Sequence, residues 1–131
     1  VAGGHITASG NISSSGNITA DNYITRPQTV ASAGSDISDA TAITSTTGIV
    51  FGTTDDAAKG VKLPAVSTLI IGQQITVHNT SAATLEVYPT ANDRIFPLAD
   101  DAPATVPVNT AMVVTAFSAD GYVGYFTTVI S

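Results

Sequence analysis

The sequence predicts an all-β protein: a jelly-roll-like β-sandwich of about eight strands, with an extended N-terminal β arm or shaft, assembled as a homotrimer. Three observations predict this class. Of the 131 residues, 44% are hydrophobic, mostly Val, Ile and Ala, and Gly and Pro interrupt them often, a composition that favours sheet. Short apolar runs separated by turn residues follow from residue 41 onward. Isoleucines recur at a constant spacing through the N-terminal part of the chain.

The N-terminal segment repeats every six residues. Its isoleucines are Ile6, Ile12, Ile18 and Ile24, and glycines precede the first three by two positions, at Gly4, Gly10 and Gly16. A period of six does not match an amphipathic helix, which places apolar residues three and four apart. It is a multiple of the two-residue period of a strand, so the segment is predicted to be extended.

Two extended architectures fit this repeat. A left-handed β-helix within one chain needs about 18 residues per coil and several stacked coils, so four hexads are too few. A slender shaft of three chains, or an arm that docks on a partner, supplies the missing burial from other molecules. We therefore predict that Ile6, Ile12, Ile18, Ile24 and the nearby Tyr23 form a trimer or docking interface. The alternative is a flexible tail in which the spacing is accidental.

The chain divides into three zones. Residues 1–26 are the predicted arm or shaft, residues 27–40 are a predicted linker that starts at a proline, and residues 41–131 are the predicted β-sandwich domain. The linker prediction follows from Pro27, which lacks a backbone N–H, and from the Gly, Ser and Asp residues after it.

The strands of the predicted sandwich follow in order. The first three are AITST, GIVFG and GVKLPAV. QQITVHN alternates, which predicts Ile75 and Val77 inward and His78 outward. TLEVYP repeats this scheme with Leu85 and Val87 inward, and NTSAA between these two strands predicts a hairpin.

The remaining strands have features of their own. DRIFPL contains a proline and is predicted to be an edge strand. AMVVTAF is apolar on both faces, which predicts a central strand or a subunit contact, and YVGYF follows the Asp-Gly turn as the last strand.

Charge and composition exclude several functions. The net charge is −6 with only four Lys and Arg residues, so neither nucleic acid nor an anionic membrane surface is a predicted partner. Without cysteine there is no disulfide, thiolate nucleophile or Cys-based metal site. The apolar stretch VSTLII is too short to span a bilayer. No cofactor is predicted.

Catalytic chemistry has little support. The two histidines, His5 and His78, lie in different zones, and no nucleophile elbow, P-loop or HExxH motif is present. The acidic residues of the predicted loops, namely Asp55, Asp56, Asp93, Asp100, Asp101 and Asp120, are interpreted as solvated turn charges. A glycosidase pair or a loop calcium site is the alternative. We predict a non-enzyme.

Tyrosines offer one further hypothesis. Tyr88, Tyr122 and Tyr125 are predicted either to stack on carbohydrate or to cover a core edge or a subunit seam.

Several phrases resemble small structural proteins of tailed bacteriophages. They are Leu63-Pro64-Ala65, Gly72 to Asn79, Val87-Tyr88-Pro89, Ile95, Ala99 to Ala104, Ala111 to Phe117 and Tyr122 to Phe126. The repeats ASGNI and SSGNITADNYI are similar to stretches beside the fibrous parts of phage tail and head-fibre proteins. Together the resemblance covers about two-thirds of the chain. Related modules often have Trp in the last strand, where this chain has Tyr122 or Tyr125.

The resemblance implies a virion protein on the outer capsid surface. The expected function is capsid decoration (cement): a trimer that binds the major capsid protein and stabilises capsomer junctions. Lys59, Lys62 and Arg94 are candidates for salt bridges to acidic capsid loops. The alternative is a receptor-binding or structural module of a tail or head fibre, for which a complete chain of this length leaves little room. A bacterial surface adhesin is a third alternative.

Overall fold

The structure is a computed structural model that describes residues 7–22, 24–25, 27–44, 48–53, 56–57 and 59–127. Within these residues the chain forms ten strands and one short 3₁₀ turn, Val66–Thr68, which confirms the all-β prediction. The strands are β1 Pro27–Ala31, β2 Thr41–Ala42, β3 Ile49–Thr53, β4 Lys59–Lys62, β5 Gln74–Asn79, β6 Leu85–Tyr88, β7 Arg94–Phe96, β8 Ala104–Val106, β9 Ala111–Ala116 and β10 Gly121–Phe126. No helix in the described part of the chain could cross a membrane.

The first six strands wind as a β-solenoid. Consecutive strands alternate between two sheets: β1, β3 and β5 are parallel neighbours in the larger sheet, and β2, β4 and β6 are parallel neighbours in the smaller one. Each pair of consecutive strands is therefore one coil. The coils begin at Pro27, Ile49 and Gln74, so the first coil is slightly shorter than the second.

The jelly-roll prediction is wrong. A jelly roll is built from antiparallel Greek-key strands, whereas the first six strands here pair in parallel within each sheet. The predicted hairpin at NTSAA is wrong for the same reason, because β5 and β6 lie in different sheets. Alternation along a strand identifies its buried face but not its neighbour, so the pattern alone fits either topology.

The last four strands close this arrangement. In the larger sheet, β9 runs antiparallel to β5, β10 antiparallel to β9, and β7 occupies the edge beside β10. In the smaller sheet, β8 runs antiparallel to β6 and is the last strand. The predictions that AMVVTAF is central and that DRIFPL is an edge strand are therefore confirmed. Six strands in one sheet face four in the other.

The core lies between the two sheets and is aliphatic. Ile75, Val77, Leu85 and Val87 are fully buried, which confirms their predicted inward direction. The inner residues of β9 also face this core, because Met112 and Val114 are buried opposite Val77 and Ile75. Burial of such side chains contributes about 1.5–3 kcal/mol each, which makes this layer the main source of stability.

The predicted linker contributes to the folded unit. Residues 27–40 contain β1, whose Val30 is buried, and Ala33 bonds to Gly60 through the backbone. Pro27 is the first residue of β1 and pairs with Ile49. A proline is tolerated there because β1 is an edge strand of its sheet.

Candidate functional site

The N-terminal arm, described over residues 7–22 and 24–25, presents its isoleucines to solvent. The exposed fractions are 63% for Ile12, 57% for Ile18 and 87% for Ile24. Ile6 and Tyr23, which complete the predicted interface set, lie outside the described residues. The repeat therefore places three aliphatic side chains in water at regular intervals.

Local contacts shape the arm and its junction with the first coil. The Ser14 hydroxyl interacts with both the N–H and the carbonyl of Gly16, which forms a tight bend between Ile12 and Ile18. At the junction, a Cβ placed on Gly48 would lie only 3.0 Å from Cγ2 of Thr25, so the arm passes close to the start of the second coil.

The larger sheet has β1, which follows the arm, at one edge and β7 at the other. An apolar groove of about 330 Å³ lies at the β7 edge, between β7, β10 and the edge strand β8 of the smaller sheet. Met112, Gly124 and Phe126 share the inward face of β9 and β10, as their pairing register shows. Gly124 lies close to β9, since a Cβ there would be 3.1 Å from Cγ1 of Val114, and Phe126 is half exposed. The other lining residues are Ile95, Phe96, Pro97, Leu98, Pro103, Ala104, Thr105 and Tyr125.

Arg94 precedes the groove residues Ile95 and Phe96 in β7 and has several contacts within the chain. Its guanidinium lies 4.6 Å from the centre of the Phe96 ring. The Nε atom lies 3.5 Å from Asp100 and Nη2 lies 3.6 Å from Asp120. The Nε atom is buried without a well-formed hydrogen bond, so the contact with Asp100 is a loose ion pair. Phe96 in turn packs edge-to-face on Phe117, with ring centres 5.0 Å apart.

The two candidate lysines differ in environment. The Lys62 ammonium donates a 3.1 Å hydrogen bond to the carbonyl of Ile37, and Lys59 is half-buried at the start of β4. The three predicted cations are not brought together, since Arg94 lies in the other sheet.

Several of the acidic residues have structural partners. Asp93 accepts a hydrogen bond from the N–H of Val66, and Asp101 accepts one from the N–H of Asn92. Hydrogen bonds from Ser38 lower the pKa of Asp36, which lies on an exposed turn. Among the described residues, no group of three or more His, Asp or Glu side chains could hold a metal ion.

Of the two alternatives for the tyrosines, the structure does not form the carbohydrate platform from these three rings. Tyr122 is fully buried and donates a 2.7 Å hydrogen bond to the carbonyl of Pro64. Tyr88 is also buried, and its hydroxyl donates to the carbonyl of Ser35 at 2.9 Å. Only Tyr125 of the three is exposed, so the rings do not share a surface. His78 packs beside Phe51 on the outer face of the sheet, with ring centres 5.3 Å apart.

Sequence reasoning identified the arm but missed the groove. The groove combines residues from β7, β8, β9 and β10, which follow one another in the chain but are divided between the two sheets. The apolar residues around Pro97 and the aromatic pair Tyr125-Phe126 were the signals in the sequence.

Comparison with known proteins identifies no relative of this chain, so the site is interpreted from its geometry. No protein-family model matches the chain, and searches of curated proteins and of solved structures find no significant similarity.

Proposed function

We propose that this chain is a capsid decoration (cement) protein of a tailed bacteriophage, which binds the outer capsid surface as a homotrimer. The observation that carries the proposal is the regular exposure of Ile12, Ile18 and Ile24. Single exposed apolar residues are ordinary, but a periodic row of them on a thin arm is typical of a surface that becomes buried on assembly.

The mechanism is binding energy without chemistry. Each isoleucine contributes about 1.5–3 kcal/mol when it is fully buried, so three of them provide about 5–9 kcal/mol per arm before the arm is ordered. A trimer presents three arms at once, and the second and third bind at high effective concentration. Arms that cross the junction of neighbouring capsomers would add contact area where the shell separates under internal pressure.

The cations have a secondary role in this proposal. Lys59 is the best candidate for pairing with an acidic capsid loop, because Arg94 already has two carboxylate partners and Lys62 is bound to a backbone carbonyl. Exposed ion pairs contribute about 0–1 kcal/mol each, so they affect how the trimer is oriented on the capsid more than how tightly it binds.

The experiment compares the full chain with a variant that replaces Ile12, Ile18 and Ile24 by Ser. A matched control replaces the exposed loop residues Ile70 and Ile71 by Ser. Light scattering after size-exclusion chromatography gives the oligomeric state. Each protein is then added to phage particles that lack it, and the temperature at which heating releases their DNA measures capsid stability. We expect the wild type and the control to be trimers that raise the release temperature. A monomeric wild type with no capsid effect contradicts the proposal.

One observation favours a second function, a module of a tail or head fibre. Parallel coils stacked along one axis are typical of elongated, repetitive proteins, and three such coils are present in the described part of this chain. Particles lacking the protein separate the two functions. Fragile particles that still adsorb to host cells support decoration, whereas stable particles that fail to adsorb support a fibre.

A further inference from the structure

We propose that the apolar groove between β7, β8 and β10 binds the arm of a second copy of this chain, with Ile18 seated on its floor. The inference rests on the proposed self-association, for which it supplies the receiving site, and is independent of the phage function. It follows from the chemistry of the groove, the chemistry of the arm and their positions in the fold.

The groove is suited to an extended apolar ligand. Its buried lining residues Ile95 and Met112 form the floor, and its exposed lining residues Leu98 and Phe126 form the open side. An apolar cavity of about 150 Å³ is large enough to hold a benzene molecule. A groove of about 330 Å³ therefore has room for an isoleucine side chain and adjoining main chain.

Two strand edges border this groove. β7 is the last strand of the larger sheet and β8 is the last strand of the smaller one. An edge strand offers backbone N–H and C=O groups to an added strand, while pockets beside it accept alternate side chains. An extended segment with widely spaced apolar residues matches such a site.

The arm has the complementary chemistry. Around Ile18 its residues are small or polar, and a Cβ on Gly10 or Gly16 would have no neighbour within 4 Å. Small residues allow a backbone to approach a strand edge closely. In the sequence from 7 to 25 the only charged side chain is that of Asp21, so the net charge of −6 on the whole chain opposes docking of the arm only weakly.

The positions of arm and groove permit exchange between copies. The arm joins β1 at one edge of the larger sheet, whereas the groove lies beside β7 at the other edge. Five strand spacings separate these edges, about 24 Å. A second copy whose β1 edge faces the β7 edge of the first places its arm at the groove. This contact is heterologous, so repeating it closes a ring or continues as a filament; a trimer is the closed form.

Ile18 is the isoleucine with enough free chain to leave its own sheet. It lies nine residues before Pro27, which gives a reach of about 30 Å in an extended chain. The arm is therefore also long enough to cross its own sheet, and the cross-linking experiment below distinguishes exchange from binding within one chain. Ile24 lies three residues before β1 and stays near its own sheet.

The chain contains neither Trp nor Cys, so a single tryptophan can be introduced for fluorescence and a single cysteine for cross-linking. An Ile18→Trp variant, excited at a wavelength that tyrosine does not absorb, reports burial of the arm. We expect its emission to shift to the blue as protein concentration rises, in step with oligomer formation measured by sedimentation. Adding Leu98→Asp should weaken association at least about tenfold, a change equivalent to about 1.4 kcal/mol, and return the emission to the red. Ile70→Asp, another exposed apolar position, is the matched control and should change neither.

A cross-linking experiment identifies which copy supplies the arm. A chain carrying Ile18→Cys is mixed with a tagged chain carrying Leu98→Cys and oxidised, and each chain alone is the control. We expect a disulfide between tagged and untagged chains. A blue shift that is independent of concentration in a monomer would show that the arm binds its own groove and would overturn the inference. The inference would also be overturned if the protein stayed a trimer after Leu98→Asp and the Ile18→Trp emission showed an exposed tryptophan. That result would leave the proposed assembly function intact.

Discussion

The phenol of Tyr122 in β10 donates a 2.7 Å hydrogen bond to the carbonyl of Pro64, which follows β4 in the other sheet. The bond is buried and joins the two sheets at the level of the second coil. Residues that are 58 positions apart thus meet in the core.

Removing this hydroxyl should destabilise the protein. We expect Tyr122→Phe to lower the free energy of unfolding by about 1–2 kcal/mol, because it leaves the buried carbonyl of Pro64 without this donor. Urea denaturation measures the change. Tyr125→Phe removes the same atom from an exposed ring and should have almost no effect. Equal effects of the two substitutions would contradict a structural role for this bond.

The same residue should make stability depend on alkaline pH. Burial, and secondarily the charge of Asp93, raises the pKa of Tyr122 well above its ordinary value. In the unfolded chain tyrosine ionises near about pH 10. The pKa of Tyr122 is higher in the folded protein than in the unfolded chain. The stabilisation is therefore complete below the unfolded-state pKa and is lost as the pH rises above it.

We therefore expect the stability difference between the wild type and Tyr122→Phe to shrink from pH 8 to pH 11. Denaturation curves at several pH values measure it. A difference that stays constant across this range would show that Tyr122 does not contribute to the alkaline loss of stability.

Asn79 should be another sensitive polar position. Its buried amide nitrogen donates to the carbonyls of Ala83, Val106 and Pro107, and so ties the turn after β5 to the end of β8. We expect Asn79→Ala to cost about 1–3 kcal/mol of stability, since it leaves buried carbonyls unpaired.

Asn79→Asp should cost more, because it places a carboxylate against the same carbonyls, and acidification should recover part of the loss. Asn22→Ala, at an exposed position in the arm, is the control. An Asn79→Asp protein as stable as the wild type at neutral pH would rule out this donor network.

Gly60 should not tolerate a side chain. A Cβ at this buried position in β4 would lie 2.6 Å from Cε2 of Tyr88, whose ring is held by its hydrogen bond to Ser35. We expect Gly60→Ala to lower the unfolding free energy by about 1–3 kcal/mol through overpacking. Gly16→Ala, with open space around it, provides the comparison in thermal melting. A Gly60→Ala protein with unchanged stability would mean that the ring moves freely.

Local patterns predicted which side chains are buried but not which strands are neighbours. The buried faces of β5 and β6 were evident because alternation is a property of each strand alone. Parallel pairing was not evident, although one signal existed: Val50 pairs with Val77, and Val61 pairs with Val87 at a nearly equal separation in sequence. Coils of unequal length hide such a repeat from a search for a constant period.

The sequence by itself determined the all-β class, the aliphatic core and the isoleucine arm, because each depends on residue type and short-range spacing. Tertiary structure decided that the coils stack in parallel, that Tyr122 is enclosed and that Arg94 pairs with Asp100 and Asp120. It also created the groove, which exists only where a six-stranded sheet faces a four-stranded one. The physical reason is that pairing and enclosure are contacts between residues distant in the chain, and no local pattern encodes them.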